Sequence, residues 1–223
     1  EKQAMMILFM KTFFGVLCVT ELCNKYIPSL DYNISFLREM FSQAVLYTGT
    51  NGIVEGIAQY IDDTADMWLN FITMFITIIL AISYLTDLDL FKNKIKSVDT
   101  TPLGVLTCIM CYYPITILSN RIIISYTEEL IPVPNLGLRL FLNISVLLIN
   151  IISLLAIARL GTKAGNLTNR GIVTKFPYNI VRHPNYSMQI FYLILTTIPL
   201  YFISDLTILD KVLYSVGTIG WIY

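Results

Sequence analysis

Three stretches without a charged side chain limit what this chain can fold into more than any other feature of its sequence. They cover residues 67–86, 100–120 and 140–158, and each is long enough to cross the hydrocarbon core of a bilayer, which takes about 20 residues of helix. A helix suits that setting because it satisfies its own backbone hydrogen bonds. The sequence therefore predicts an integral membrane protein.

The composition agrees with a membrane protein and excludes a soluble globular enzyme. Of 223 residues, 56% are hydrophobic and 13% are charged, and the mean hydropathy is +0.68. A soluble domain carries about 25% charged residues, and half that share does not cover a water-facing surface. The 15 basic and 15 acidic residues balance, so nothing in the net charge indicates nucleic acid, and we expect no nucleic-acid partner.

Three further apolar stretches raise the predicted number of transmembrane helices to five or six. Residues 4–22 are apolar around Lys11, and residues 187–204 contain Pro199, which membrane helices tolerate. Residues 212–223 are uncharged but too short to cross a bilayer. We predict an all-α fold, a polytopic helical bundle with five spans and a sixth that is cut short.

Basic residues concentrate in alternate loops, which predicts the orientation of the bundle. Loop 87–99 has three lysines, and loop 159–187 has five basic residues and no acid. Segment 23–66 has two basic residues against six acids. Because basic loops stay on the cytoplasmic side of a membrane, we place 87–99 and 159–187 on the cytoplasmic-equivalent side and 23–66 opposite.

The loop 159–187 also carries the chemical groups of the best candidate site. It contains His183, the only histidine of the chain. Pro184 suits the first turn of the next helix, where backbone N–H groups lack partners, and Arg182 beside them would complete an anion site. Tyr178 and Tyr186 supply aromatic faces, which suit a membrane interface and also attract a cationic sulfonium.

The same residues have a simpler structural explanation, which composition alone favours. Basic residues in a cytoplasmic loop often serve only topology and contact lipid phosphates. A single histidine at the start of a helix is usually a structural residue with its hydrogen bonds satisfied.

Residues 171–186, GIVTKFPYNIVRHPNY, resemble the signature of the isoprenylcysteine carboxyl methyltransferase and phospholipid methyltransferase superfamily. Two upstream elements resemble runs of a bacterial branch of that superfamily. They are NLTNRG at 166–171, and NKIKSVDTTPLG at 93–104 followed by CYYP at 111–114. The resemblance covers about residues 86–204. Phe176 and Met188 stand where the family has glycine.

This resemblance implies an integral-membrane methyltransferase that uses S-adenosylmethionine to methylate a lipid or a prenylated, lipid-like acceptor. It implies that Arg182, His183 and Tyr186 are catalytic, with Arg182 pairing with the cofactor carboxylate. It also implies a cofactor pocket lined by these three residues and four more, which are Tyr178, Pro184, Asn166 and Arg170. Expected partners are a membrane lipid or lipidated substrate and other membrane proteins, and no metal is expected.

The resemblance also suggests how the chain is divided. Residues 1–85 would form an N-terminal membrane region with a long non-cytoplasmic loop at 23–66, and residues 86–223 a methyltransferase-like membrane core. In the family, a Glu-Glu pair that follows the Arg-His-Pro segment helps to close the pocket, and no such pair follows His183 before Tyr223. Either the pair lies in a continuation of the chain, or the chain is a degenerate relative kept for structure.

Two other functions stay open at this point. NADPH-dependent membrane reductases of the sterol type share Arg-His-Pro-Asn-Tyr but usually continue to Gly-Glu, where this chain has Met188 and Gln189. A non-catalytic membrane subunit with the same fold is favoured by the missing glycines and Glu-Glu pair.

Cys108 and Cys111 form a CxxC in an apolar stretch, where packing is a better explanation than a zinc site with four ligands.

Overall fold

The computed structural model describes residues 1–50, 53–88, 90, 93–110, 133–202 and 206–222. This part of the chain is mostly helical. In chain order its elements are α1 (Lys2–Glu21), a π-helical turn (Leu22–Tyr26), α2 (Ile27–Thr50), α3 (Ile53–Leu85), β1 (Ser97–Val98), α4 (Pro102–Met110), α5 (Leu136–Leu160), a 3-10 turn (Gly161–Lys163), β2 (Thr168–Asn169), α6 (Pro184–Thr197), a 3-10 segment (Ile198–Phe202) and α7 (Ile208–Ile222).

Three helical segments of the described chain are long and apolar enough to cross a membrane. They are Lys2–Glu39, Glu55–Leu85 and Leu136–Lys163. The predicted spans 4–22 and 140–158 lie inside them, and the span 67–86 does so except for Thr86. Helices long and apolar enough to cross a membrane are thus present at three of the predicted positions. The total of five to six transmembrane helices stays a prediction.

The other predicted spans are described only in part. Helix α4 covers only Pro102–Met110 of the stretch 100–120, and residues 111–120 lie outside the described part. Helix α6 ends at Thr197, and a 3-10 segment with Pro199 follows, because proline has no N–H for an α-helical hydrogen bond. The last apolar stretch lies in α7, which has 15 residues.

Segment 23–66, predicted as a long non-cytoplasmic loop, is helical wherever the structure describes it. Helix α1 continues through the π-helical turn into α2, and α3 already begins at Ile53. Pro28 would interrupt an α-helix here because it lacks an N–H. The π-helical turn directly before it lets the helix continue with altered hydrogen bonding. The acidic residues of this segment are compatible with the exposed face of a helix.

Helix α3 is the centre of the fold, since it packs against α1, α2 and α5, and α5 in turn packs against α6. At one end of α3, Met10 and Phe14 of α1 form a buried cluster with Tyr84. The rings of Phe14 and Tyr84 stack with centroids 5.2 Å apart. Gly15 allows this close approach, because a Cβ there would lie 2.8 Å from the Leu85 side chain.

Nearer the start of α3, an ion pair links it to α5. Arg139 Nε lies 2.8 Å from the carboxylate of Asp62, and the Asn143 side-chain amide donates to the other oxygen of that carboxylate. An open cavity of about 520 Å³ lies beside the pair, with Glu55 and Gln59 in its lining.

Candidate functional site

A short antiparallel ladder joins the two basic loops. Strand β1 pairs with β2, with Ser97 opposite Asn169 and Val98 opposite Thr168. Beyond the ladder, the Lys96 N–H donates to the Asn169 carbonyl at 2.8 Å. Loops 87–99 and 159–187 therefore meet at one end of the helices, as two loops on the same side of a membrane would. The all-α prediction missed this ladder, because strands of two residues leave no alternating pattern.

Asn93, the first residue of the upstream motif, fixes the chain where it leaves α3. It is fully buried. Its side-chain oxygen accepts from the Leu88 N–H at 3.0 Å, and its amide donates to the Thr86 carbonyl at 3.1 Å. Since a buried polar side chain needs such partners, Asn93 shapes the loop that leads into β1.

Gly104, the last residue of that motif, belongs to the start of α4. Its N–H donates to Thr101 Oγ1 at 3.2 Å, the bond of a helix cap. Thr101 in turn donates to the Asp99 carboxylate through both its N–H and its hydroxyl, and these bonds hold the pKa of Asp99 below its usual value. A Cβ at position 104 would meet that carboxylate, so the Asp99 side chain would have to shift.

Arg170, one of the predicted cofactor ligands, is buried at 3% exposure. Its Nη1 donates to the backbone carbonyls of Ser83 at 2.7 Å and Thr162 at 2.9 Å. Burial lowers the pKa of Arg170, while the nearby charge of Asp87 acts in the opposite direction. Arg170 thus connects the end of α3 to the turn that follows α5.

Asn166 and Tyr178 also connect the loop 159–187 to the helices. The backbone N–H of Asn166 donates to the Tyr84 hydroxyl at 3.0 Å. The Tyr178 hydroxyl donates to the Ala156 carbonyl of α5 at 3.1 Å, and burial raises the pKa of Tyr178 to about 12. Both contacts position the loop, and the phenol of Tyr178 stays protonated at neutral pH.

Arg182, His183 and Tyr186 form a second group at the start of α6, and all three are exposed. The His183 and Tyr186 ring centroids are 5.8 Å apart. Arg182 makes no hydrogen bond or ion pair with the described residues. Pro184 is buried in the first turn of the helix, and the His183 carbonyl accepts from Ser187 N–H at 3.0 Å.

The seven predicted site residues therefore divide by role in the fold. Arg170, Asn166, Tyr178 and Pro184 are used in internal packing or bonding, whereas Arg182, His183 and Tyr186 present their side chains to the surroundings. No group of three or more metal-binding side chains occurs in the described ranges. Cys108 lies in α4, and Cys111, the other half of the CxxC, lies outside those ranges.

Two features at the ends of the helices were not predicted from the sequence. The Asp62–Arg139 pair was missed because Asp62 is one of four acids in α3, and the sequence does not indicate which of them meets a base on α5. Lys96 and Lys163 were counted only as loop charge, yet both amino groups lie beside Gly171. Their spacing in the sequence gives no sign of this, because the β1–β2 ladder brings them together.

Comparisons of the chain with known protein families, with curated proteins and with solved structures found no match.

Proposed function

We propose that this chain is a membrane methyltransferase that binds S-adenosylmethionine at Arg182, His183 and Tyr186 and methylates a lipid or lipid-like acceptor. The observation that carries the proposal is the exposure of these three side chains together at the start of α6. The ordered resemblance of residues 93–104, 166–171 and 171–186 to the methyltransferase superfamily supports it.

The chemistry of the three side chains fits the cofactor. A guanidinium that no described residue engages suits a carboxylate, to which it donates in a planar fork. The exposed aromatic face of Tyr186 suits a sulfonium cation. Arg170 and Tyr178 fit less well as ligands, because both already donate to backbone carbonyls. We therefore propose that these two residues position the loop and that Arg182 holds the carboxylate.

When bound, the cofactor supplies an electrophilic methyl group, and the task of the protein is mainly to align donor and acceptor. Good alignment contributes as much as ~7–11 kcal/mol to such a reaction. An amine acceptor attacks only when neutral, and the His183 imidazole, whose ring nitrogens donate or accept a proton, would take the proton that the amine gives up. A carboxylate or thiolate acceptor would need no base.

A non-catalytic membrane subunit is the second candidate function. The observation that favours it is the use of Arg170, Asn166 and Tyr178 as connections within the fold. In that case, the exposed residues at the start of α6 would contact a partner protein or lipid headgroups and not a cofactor.

A methyl-transfer assay separates the two candidates. The purified chain is incubated with methyl-labelled S-adenosylmethionine and a membrane lipid extract, and label in the organic phase is counted. We expect labelled product from the wild type and from the control Arg159→Ala, which removes another exposed basic residue. We expect none from Arg182→Ala or His183→Ala. Label at background level in the wild type would favour the subunit.

A further inference from the structure

Gly171 forms a small open recess between two amino groups. Its φ is +105°, a conformation that side chains rarely adopt and that glycine tolerates. A Cβ at this position would lie 3.5 Å from Lys96 Nζ and 4.0 Å from Lys163 Nζ. The missing side chain therefore leaves space beside both ammonium groups.

These two positive charges have no counter-charge in the described part of the chain. Neither Lys96 nor Lys163 forms an ion pair or side-chain hydrogen bond there. The Gly171 N–H is already used, since it donates to the Asn169 side chain at 3.0 Å. Two like charges held beside one recess repel each other, and an anion between them would remove that repulsion.

The position of the recess indicates where the anion comes from. Lys163 ends the apolar segment Leu136–Lys163, so the recess lies at the depth where a spanning helix leaves the hydrocarbon. Ile172, next to Gly171, is 87% exposed. An exposed apolar side chain beside a basic pair suits the boundary between lipid headgroups and acyl chains.

We propose that Lys96, Lys163 and the Gly171 recess bind the phosphate of an anionic phospholipid headgroup, with Ile172 against its acyl chains. This site is separate from the exposed group at the start of α6 and does not depend on methyl transfer. The shared chemistry is a phosphate, and a free phosphate ion is the other source that the test distinguishes.

The test is calorimetric titration of the full chain in a neutral detergent. The probes are dihexanoyl phosphatidylglycerol, dihexanoyl phosphatidylcholine and sodium phosphate, used in separate arms. The test variant is the double substitution Lys96→Gln with Lys163→Gln, and its matched control is Lys94→Gln with Lys175→Gln, which removes two exposed lysines from the same loops. Circular dichroism confirms that each variant is folded.

The expected result is binding of one phosphatidylglycerol, tighter than either other probe. The test variant should weaken it about 20-fold or more, because a lysine near a lipid surface contributes about fivefold, and the control should weaken it less than threefold. Lys96→Arg with Lys163→Arg should retain binding. Ile172→Ser should weaken the lipid and leave sodium phosphate unchanged.

Three results would overturn the proposal. Equal losses in the test and control variants would show a diffuse charge effect. Unchanged binding in the test variant would show that the lysines are not the site. Sodium phosphate that binds as tightly as the lipid would show that a free ion is the ligand.

Discussion

The guanidinium of Arg170 donates to the backbone carbonyl of Ser83 at 2.7 Å, across 87 positions of the sequence. The same nitrogen donates to the Thr162 carbonyl at 2.9 Å, and the Ser83 hydroxyl donates to that carbonyl as well, at 2.9 Å. The end of α3 and the turn after α5 are thus joined by one buried side chain. The loop that carries the proposed cofactor residues is held on this connection.

Replacing Arg170 with methionine should therefore destabilise the protein. The change removes the bonds from a charged donor to the carbonyls of Ser83 and Thr162, and only the Thr162 carbonyl keeps a bond from the Ser83 hydroxyl. This loss costs about 2–4 kcal/mol. The measurement is the free energy of unfolding in mixed micelles, from titration with sodium dodecyl sulfate. The matched control is Arg182→Met at an exposed position, which should change stability by about 0.5 kcal/mol or less. Equal losses in both variants would contradict the structural role of Arg170.

Replacing Gly171 with alanine should also cost stability, for a reason of backbone conformation. Its φ of +105° is unfavourable for a residue with a side chain, and such strain costs about 1–3 kcal/mol. The same substitution at Gly137, near the start of α5, should be neutral or stabilising by up to ~1 kcal/mol. There a Cβ would meet only the Asn135 side chain, at 3.4 Å. Comparing the two unfolding free energies tests the difference, and a harmless Gly171→Ala would contradict it.

The stability of the loop before α4 should fall at acid pH. Hydrogen bonds from Thr101 hold the pKa of Asp99 below its usual value. A carboxylate whose pKa is lowered by folding stabilises the protein fully above its unfolded pKa, about 3.9. That stabilisation is lost as the pH falls through the folded value. Thermal unfolding midpoints from pH 2 to 6 should therefore decline less steeply below about pH 4 in Asp99→Asn than in the wild type. Lys94→Gln should keep the wild-type slope, and an identical slope in Asp99→Asn would show that the carboxylate has no such role.

Tyr178 should ionise only at strongly alkaline pH. Burial raises its pKa to about 12, so its absorbance change should be centred there in the difference between wild type and Tyr178→Phe. Because the unfolded chain ionises first, near pH 10, this residue stabilises the fold below pH 10 and loses that contribution as the pH rises toward 12. The substitution should also cost about 1 kcal/mol, from the lost bond to the Ala156 carbonyl. A difference titration centred near pH 10 would contradict the partial burial of Tyr178.

The sequence predicted those parts of the fold that depend on local composition. Uncharged stretches of bilayer length placed α3 and α5, and the clustering of basic residues paired loops 87–99 and 159–187. The length of the helices was not predictable in the same way. Segment 23–66 mixes apolar and acidic residues, and its composition does not show that the helix continues past Pro28.

The site was predictable only as a set of polar residues on one loop. Arg170 and Arg182 look alike in the sequence, since each is a cation without a nearby acid. What separates them is the fold, because Arg170 faces the carbonyl of Ser83 while Arg182 is exposed. Contacts between distant parts of the chain, such as Lys96 with Lys163 beside Gly171, leave no periodic signal that a sequence pattern could report.

The most direct test of the proposed function is equilibrium binding of S-adenosylmethionine to the purified chain in detergent, measured by calorimetry with NADPH as the competing candidate. The account predicts binding of S-adenosylmethionine and none of NADPH. It predicts a loss of about 10- to 100-fold in Arg182→Ala, the usual effect of removing a charged hydrogen-bond partner, and no loss in Arg159→Ala. Binding of NADPH alone, or unchanged binding of S-adenosylmethionine in Arg182→Ala, would contradict it.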